Sequence, residues 1–380
     1  MTTIAQLLQE LIRIPSVNPE SDPGVSPGGE MKLARYLADF LAPLGFELTL
    51  EEVLPGRPNL IARAPGPSDR PRVLLGPHLD TVGVTGMTIP AFEANFADGK
   101  IHGRGASDTK GPMAAMLWGL RANAEKLATL PVAFDFVAFC GEESNQPGSL
   151  HFARHHASAY AFAIVGEPTS LQAVHSSKGC LWATLEAHGK AAHASRPELG
   201  DNALLKLTRA LHRIQETLPA TFAGFPDPLL GPPSLNIGMI QAGTRPNIVP
   251  DHASARFDIR STPALVAQRS VRELLNAYLD ENQPEITLGE ASEFPPMHTP
   301  ADHPWLRALQ AAVPELTLTG APWFSDAAHL AAAGLPAICL GPGSIDQAHT
   351  KDEFIQLSEL EAGGLFFTHL ISSLAPAGTF

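Results

Sequence analysis

The period of the hydrophobic positions changes several times along the chain, and each change predicts an element. Ile4, Leu7, Leu8 and Leu11 recur at i, i+3, i+4 and i+7, the stripe of an amphipathic helix that stops before Pro15. Residues 16–29, rich in Pro, Ser and Gly, read as a loop. Leu33, Tyr36, Leu37, Phe40 and Leu41 then share one face of a second helix. Apolar runs at 46–53, 59–64, 73–79, 132–140 and 162–165 read as strands, with a helix over 110–124 among them. Buried strands alternating with helices predict an α/β sheet covered on both faces.

From about residue 173 the texture changes. Residues 181–187 alternate like a half-exposed strand, and a helix over 202–218, strands at 234–240 and 253–260, and a helix over 263–279 follow. That β-α-β-β-α order is a self-contained α+β module of ordinary domain size. After Glu293-Phe294-Pro295-Pro296 the α/β pattern resumes with a helix near 305–313, a strand at 337–340 and a last helix over 358–374. The expected organisation is a catalytic domain, 1–172 and 288–380, interrupted by an inserted domain, 173–287.

Composition narrows the class without naming the activity. A chain of 380 residues exceeds one ordinary core, and 44% hydrophobic with 17% charged residues is globular. The formal net charge of -13 argues against nucleic acid or an anionic membrane as a partner. Cys140, Cys180 and Cys339 are far apart and set in apolar runs, as reduced core residues are. No apolar stretch reaches the ~18–20 residues that span a bilayer, and no basic-then-apolar leader pattern is read. The cytoplasm is the expected location.

The chemistry collects where strands end, which is where open α/β sheets place their sites. The run Val73-Leu74-Leu75-Gly76-Pro77 closes on His78-Leu79-Asp80. His78 and Asp80 point the same way along an extended chain, either as a metal-binding histidine with an orienting carboxylate or as a pair fixing a loop. Asp108 ends the Gly-rich Gly103-Arg104-Gly105-Ala106-Ser107-Asp108, as a ligand or as a helix N-cap. Glu142 and Glu143 follow one apolar strand and Glu167 another; adjacent buried carboxylates repel unless a cation holds one, the alternative being a solvated loop. His349 follows the strand at 337–340. Two histidines among such carboxylates suit zinc, with cobalt or manganese as substitutes, and one aspartate could bridge two ions.

These motifs, from Ile14-Pro15-Ser16-Val17-Asn18-Pro19 to His349, resemble in type and order the M20 family of metallopeptidases and deacylases. The resemblance covers nearly the whole chain. It implies a zinc-peptidase-like domain with an inserted lid or dimerisation domain. It also implies two divalent metal ions, His78, Asp108 and Glu167 on one and Asp108, Glu143 and His349 on the other. Asp80 would orient His78, and Glu142 would be the general acid and base. Gly189-Lys190-Ala191-Ala192-His193 resembles the lid motif whose histidine reaches a partner's active site, so a homodimer is implied; a surface-loop histidine is the alternative. Asn247 and Arg260 would hold a substrate carboxylate, although an ion pair of Arg260 with Asp258 reads equally well. Ser344 would offer backbone contacts.

The implied activity is hydrolysis of the amide in a small N-acyl amino acid. The runner-up is a carboxypeptidase or dipeptidase of the same family, and an inactive binding or scaffold homologue is a third reading. Pro77 before the histidine, Cys140-Gly141 before the Glu pair, and Gly83-Val84 after Thr81-Val82 depart from the family pattern. None removes a ligand. They bear on pocket shape, and hence on substrate.

Overall fold

The computed structural model describes residues 3–22, 25 and 28–377, so part of the expected loop at 16–29 lies outside the described residues. The chain forms two compact units. The first comprises Met1–His175, His298–Thr319 and Ser325–Phe380, and the second Ser176–Met297 and Gly320–Phe324.

In the first unit α1 (Ile4–Ile12) begins at a capping box, Thr3 and Gln6 each accepting the other's backbone N–H. Then come α2 (Gly29–Leu41), the hairpin β1 (Glu47–Leu54) and β2 (Arg57–Arg63), and β3 (Arg72–Gly76). Short β4 (Asn95–Ala97) and β5 (Lys100–His102) precede α3 (Lys110–Ala122), β6 (Ala133–Ala138), α4 (Pro147–His156), β7 (Phe162–Val165) and β8 (Ala173–Ser177).

The second unit holds β9 (Gly179–His188), α5 (Ala203–Phe222), β10 (Ser234–Ala242), β11 (His252–Ser261), α6 (Pro263–Val266), α7 (Val271–Asn282) and β12 (Ile286–Phe294). Its strands form one sheet in the order β10-β11-β9-β12, antiparallel throughout. Leu181, Ala183, Leu185 and Ala187 point from β9 into a core shared with α5 and α7, while the residues between them face away. Three expectations change here. The helix expected at 202–218 continues through Pro219 to Phe222, because its apolar stripe, Ile214, Leu218 and Phe222, runs on into the core. The helix expected over 263–279 is two, since Ser270 caps a new start with Glu273. β12 has no counterpart among the strands that the hydrophobic pattern predicts. A shift in its pairing with β9 between Leu288 and Ala291 breaks the alternation, and β12 carries this unit to Met297 rather than to 287.

After β13 (Met297–His298) come α8 (Pro304–Ala312), β14 (Leu318–Ala321), α9 (Ala327–Ala332), β15 (Ala337–Cys339), β16 (Phe354–Gln356) and α10 (Leu357–Ser373). The large sheet runs β1-β2-β6-β3-β7-β15-β8, with β3 parallel to β6 and β7, and β7 parallel to β15. β6, β7 and β15 are buried along their whole length, as parallel strands covered on both faces must be. β3 ends at Gly76, short of the apolar run, because Pro77 has no N–H to donate to the ladder. The pairing continues by single contacts, Phe139 N donating to the Pro77 carbonyl at 3.0 Å and Leu79 N to that of Phe139 at 2.7 Å.

Helix α3 is buried on nearly every side, so it is fixed from several directions at once. It meets α10 at Gly119, where a Cβ would lie 2.8 Å from the backbone and Cβ of Phe367. Among the described residues no helix is long and apolar enough to cross a membrane. Gly119→Val should therefore force the two helices apart and cost about 1–3 kcal/mol of stability by denaturant unfolding; an unchanged midpoint would show that the crossing is loose.

Candidate metal centre

The chain past β3 carries His78 and Asp80, both buried. His78 Nδ1 lies 2.9 Å from the backbone carbonyl of Asp80, and Nε2 lies 3.0 Å from Asp108 Oδ1. Both ring nitrogens thus face acceptors, and a neutral ring has one proton to give. The second contact needs either a protonated ring or a cation. Burial opposes the charge on His78, but Asp108 and Asp80 outweigh it and raise its pKa well above the ordinary value.

Asp80 does more than the sequence suggests. Its carboxylate stands 3.6 Å from His78 Nδ1, so the carbonyl is the closer partner of the ring. The carboxylate accepts instead from Glu142 N and Glu143 N, each at 3.0 Å, and from Asn18 Nδ2 at 2.7 Å. One residue therefore holds the ends of β3 and β6 in register.

Asp108 is not a helix cap, because the N-cap of α3 is Thr109, with no side-chain capping hydrogen bond. Its loop turns at Gly105, where φ is +87° and a side chain would meet Lys110 and Thr81. Buried Glu353 holds that loop, accepting from Gly105 N at 3.0 Å, Ser107 N at 2.9 Å, Asp108 N at 3.0 Å and Arg104 Nη1 at 2.7 Å. Lys110 turns away, donating to the Ile14 carbonyl at 2.8 Å. Asp108 is left with one oxygen for each histidine, Oδ1 toward His78 and Oδ2 3.4 Å from His349 Nε2. Burial opposes its ionisation, but His349 and His78 prevail and lower its pKa.

Beyond β6, Gly141 N donates at 2.8 Å to Glu30, which is paired in the interior with Arg57. Glu142 Oε1 accepts from Gln146 Nε2 at 2.7 Å, and Glu143 Oε2 lies 3.0 Å from His349 Nε2. Burial raises the pKa of Glu142 and, past β7, of Glu167 well above the carboxylate range, and that of Glu143 in the same direction. Glu143 Oε1 and Glu167 Oε1 are buried with no hydrogen-bond partner among the described residues. His349 sits at a φ of 62° with its pKa pushed up to about 10 by Asp108 and Glu143. Ser344 Oγ accepts from Asp346 N at 3.2 Å, and Ser344 bridges Thr169, which ties the His349 loop to the Glu167 turn.

One ligand atom from each of His78, Asp108 and Glu143 lies within 4.8 Å of the others. This donor set fits a cation. Orphaned carboxylate oxygens and two imidazoles converge where hydrogen bonding alone leaves acceptors facing acceptors. The structure adds a residue that the sequence reading missed, Asp326 at the start of α9. It is fully buried, both carboxylate oxygens lack partners among the described residues, and burial pushes its pKa up to about 7.

In the second unit His193 is exposed, with Nδ1 2.8 Å from Ser195 Oγ. Its strand segment pairs with that of exposed Asn247, Ala194 N donating to the Asn247 carbonyl at 3.0 Å, so the two sequence candidates are neighbours. Arg260 shows the ion pair. Its Nε and Nη2 lie 2.8 and 3.0 Å from the two oxygens of Asp258, which also accepts from Trp182 Nε1 at 2.8 Å.

Residues 74–373 match the model of Peptidase family M20/M25/M40. The chain belongs to that family. It is 31% identical over 354 residues to an acetylornithine deacetylase of Vibrio vulnificus, covering 88% of this chain and 89% of that one. The M20 metallo-carboxypeptidase Sso-CP2 of Sulfolobus solfataricus superposes with a TM-score of 0.81 at 19% identity, over 98% of this chain and 99% of that one. YXEP of Bacillus subtilis, described as a dinuclear metal binding peptidase from the M20 family, gives 0.67 at 15% identity, over 97% and 96%. This M20 protein is thus a member of a family of hydrolases acting on amide bonds.

Glu353 and Gln146 also escaped the sequence reading. Glu353 stands among surface-like charges in Thr350-Lys351-Asp352-Glu353, and nothing in the sequence separates it from Asp352. Removing its carboxylate as Glu353→Ala leaves Arg104 buried and three backbone donors unmatched. A loss of about 3–5 kcal/mol is expected in urea unfolding; a loss below 1 kcal/mol would mean that the loop holds itself.

Proposed function

We propose that this M20 protein is a dinuclear metallohydrolase that cleaves the amide bond of a small N-acyl amino acid, working as a homodimer. The observation that carries the reading is Asp108, with one oxygen toward His78 and the other toward His349. Glu143, beside His349, and Glu167 each keep a buried oxygen without a hydrogen-bond partner among the described residues. His78, Asp108 and Glu167 would hold one ion and Asp108, Glu143 and His349 the other, zinc by donor set, with cobalt or manganese able to substitute. When bound, such ions lower the pKa of water and polarise a carbonyl.

The chain's own residues supply the rest. Glu142 takes the proton of the attacking water as its oxygen adds to the amide carbonyl carbon. Gln146 holds Glu142 Oε1 in one rotamer, so the second carboxylate oxygen is the one that receives the proton. The C–N bond then breaks, and Glu142 returns the proton to the leaving amine nitrogen. His193, exposed in its own unit, would be supplied by a second copy of the chain and donate to the developing oxyanion. Asn247 would bind the substrate carboxylate beside it, and Arg260 would do so by exchanging part of its contact with Asp258. Ser344 would present backbone at the rim.

Similarity to acetylornithine deacetylases over most of the chain supports a deacylase. The fold shared with a metallo-carboxypeptidase supports cleavage at a peptide carboxyl end as the second reading. Turnover of N-acetyl, N-succinyl and dipeptide substrates with zinc or cobalt added separates them, a deacylase cleaving the acyl compounds and sparing dipeptides. Glu142→Ala should keep the metal content of the parent and lower kcat by about 100-fold or more. Normal turnover in that variant would remove Glu142 from the mechanism.

A further inference from the structure

The outward face of the second unit's sheet carries a cluster that the proposed reaction does not use. β9 and β11 pair antiparallel with His188 directly opposite His252 and Glu186 opposite Ser254. Residues two apart on a strand share a face, so Glu186, His188 and His252 stand together while Leu185, Ala187 and Ala253 point into the core. The imidazole centroids are 5.2 Å apart, and His188 Nε2 lies 3.6 Å from Glu186 Oε2. One nitrogen of each histidine and one oxygen of Glu186 fall within 4.8 Å of one another.

The neighbouring strand makes room for this group. The pairing of β12 with β9 shifts between Leu288 and Ala291, and within that stretch a Cβ on Gly289 would lie 2.9 Å from Glu186 Oε1. Any larger residue would push the carboxylate aside. A concavity of about 330 Å³ on this face is lined by Glu186, His252, Arg256 and Glu290 among others, so a further carboxylate and one arginine face the same hollow.

We propose that Glu186, His188 and His252 form a second divalent transition-metal site, separate in all its residues from the His78 cluster. Two imidazoles and a carboxylate with an open fourth position are a donor set that takes zinc, and copper(II) more tightly still. An ion there would clip β9 to β11. The assignment is independent of the proposed hydrolase activity, because it uses none of that site's groups.

The test uses the full chain carrying Asp108→Ala, which disables the His78 cluster, titrated with zinc or copper(II) by calorimetry. One ion per chain is expected, with nitrogen couplings in the copper electron paramagnetic resonance spectrum. Adding His188→Gln and His252→Gln, both at exposed positions, should weaken binding at least about tenfold. In the otherwise unaltered chain the same two substitutions should lower the saturating stoichiometry by one ion. Binding that is unaffected by these substitutions, a copper spectrum without nitrogen couplings, or no ion bound by the Asp108→Ala chain would overturn the assignment and leave a hydrogen-bonded surface cluster.

Discussion

Four carboxylates crowd together where β3, β6 and β7 end and in the turn before α3. Asp108, Glu142, Glu143 and Glu167 converge with two histidines, and burial raises the pKa of the three glutamates while the imidazoles lower that of Asp108. Like charges in a desolvated space are unfavourable unless a counter-charge joins them. Much of the rest of the first unit serves to hold that arrangement together.

It does so by assigning carboxylates two different tasks. Glu353, Asp80 and Glu30 are also buried, but backbone N–H groups and an arginine or asparagine fill their lone pairs. Each fixes a loop: Glu353 the Asp108 turn, Asp80 the Glu142-Glu143 turn, Glu30 the preceding Gly141. Among the central acids, Glu143 and Glu167 each keep one oxygen without a partner among the described residues, and both oxygens of Asp108 face histidines. Satisfaction of hydrogen bonds, rather than burial or residue type, separates the scaffold from the site. Pro77 closes the regular β3 ladder at Gly76, and single contacts to Phe139 then carry the chain through His78.

Much of this was legible because it is periodic or punctuated. The parallel strands are unbroken apolar runs, and each candidate ligand stands at a strand end or in a Gly-rich turn. What was not legible depends on contacts distant in sequence. Glu353 reaches Arg104 and the Asp108 loop across some 250 residues, and no local pattern marks it. Gln146 acts through its reach to Glu142 from the start of α4. β12 was hidden by its own bulge. The extension of α5 through Pro219 shows tertiary packing of Phe222 overriding a local breaker, and the split at Ser270 shows a cap interrupting an apolar stripe.

The central claim is that the crowded acids are a binuclear site. Anomalous diffraction at the zinc edge from zinc-soaked crystals of the full chain tests it most directly. The account predicts two peaks in the first unit, one among His78, Asp108 and Glu167 and one among Asp108, Glu143 and His349. A single peak there, or none with the carboxylates instead hydrogen-bonded to water, would contradict it.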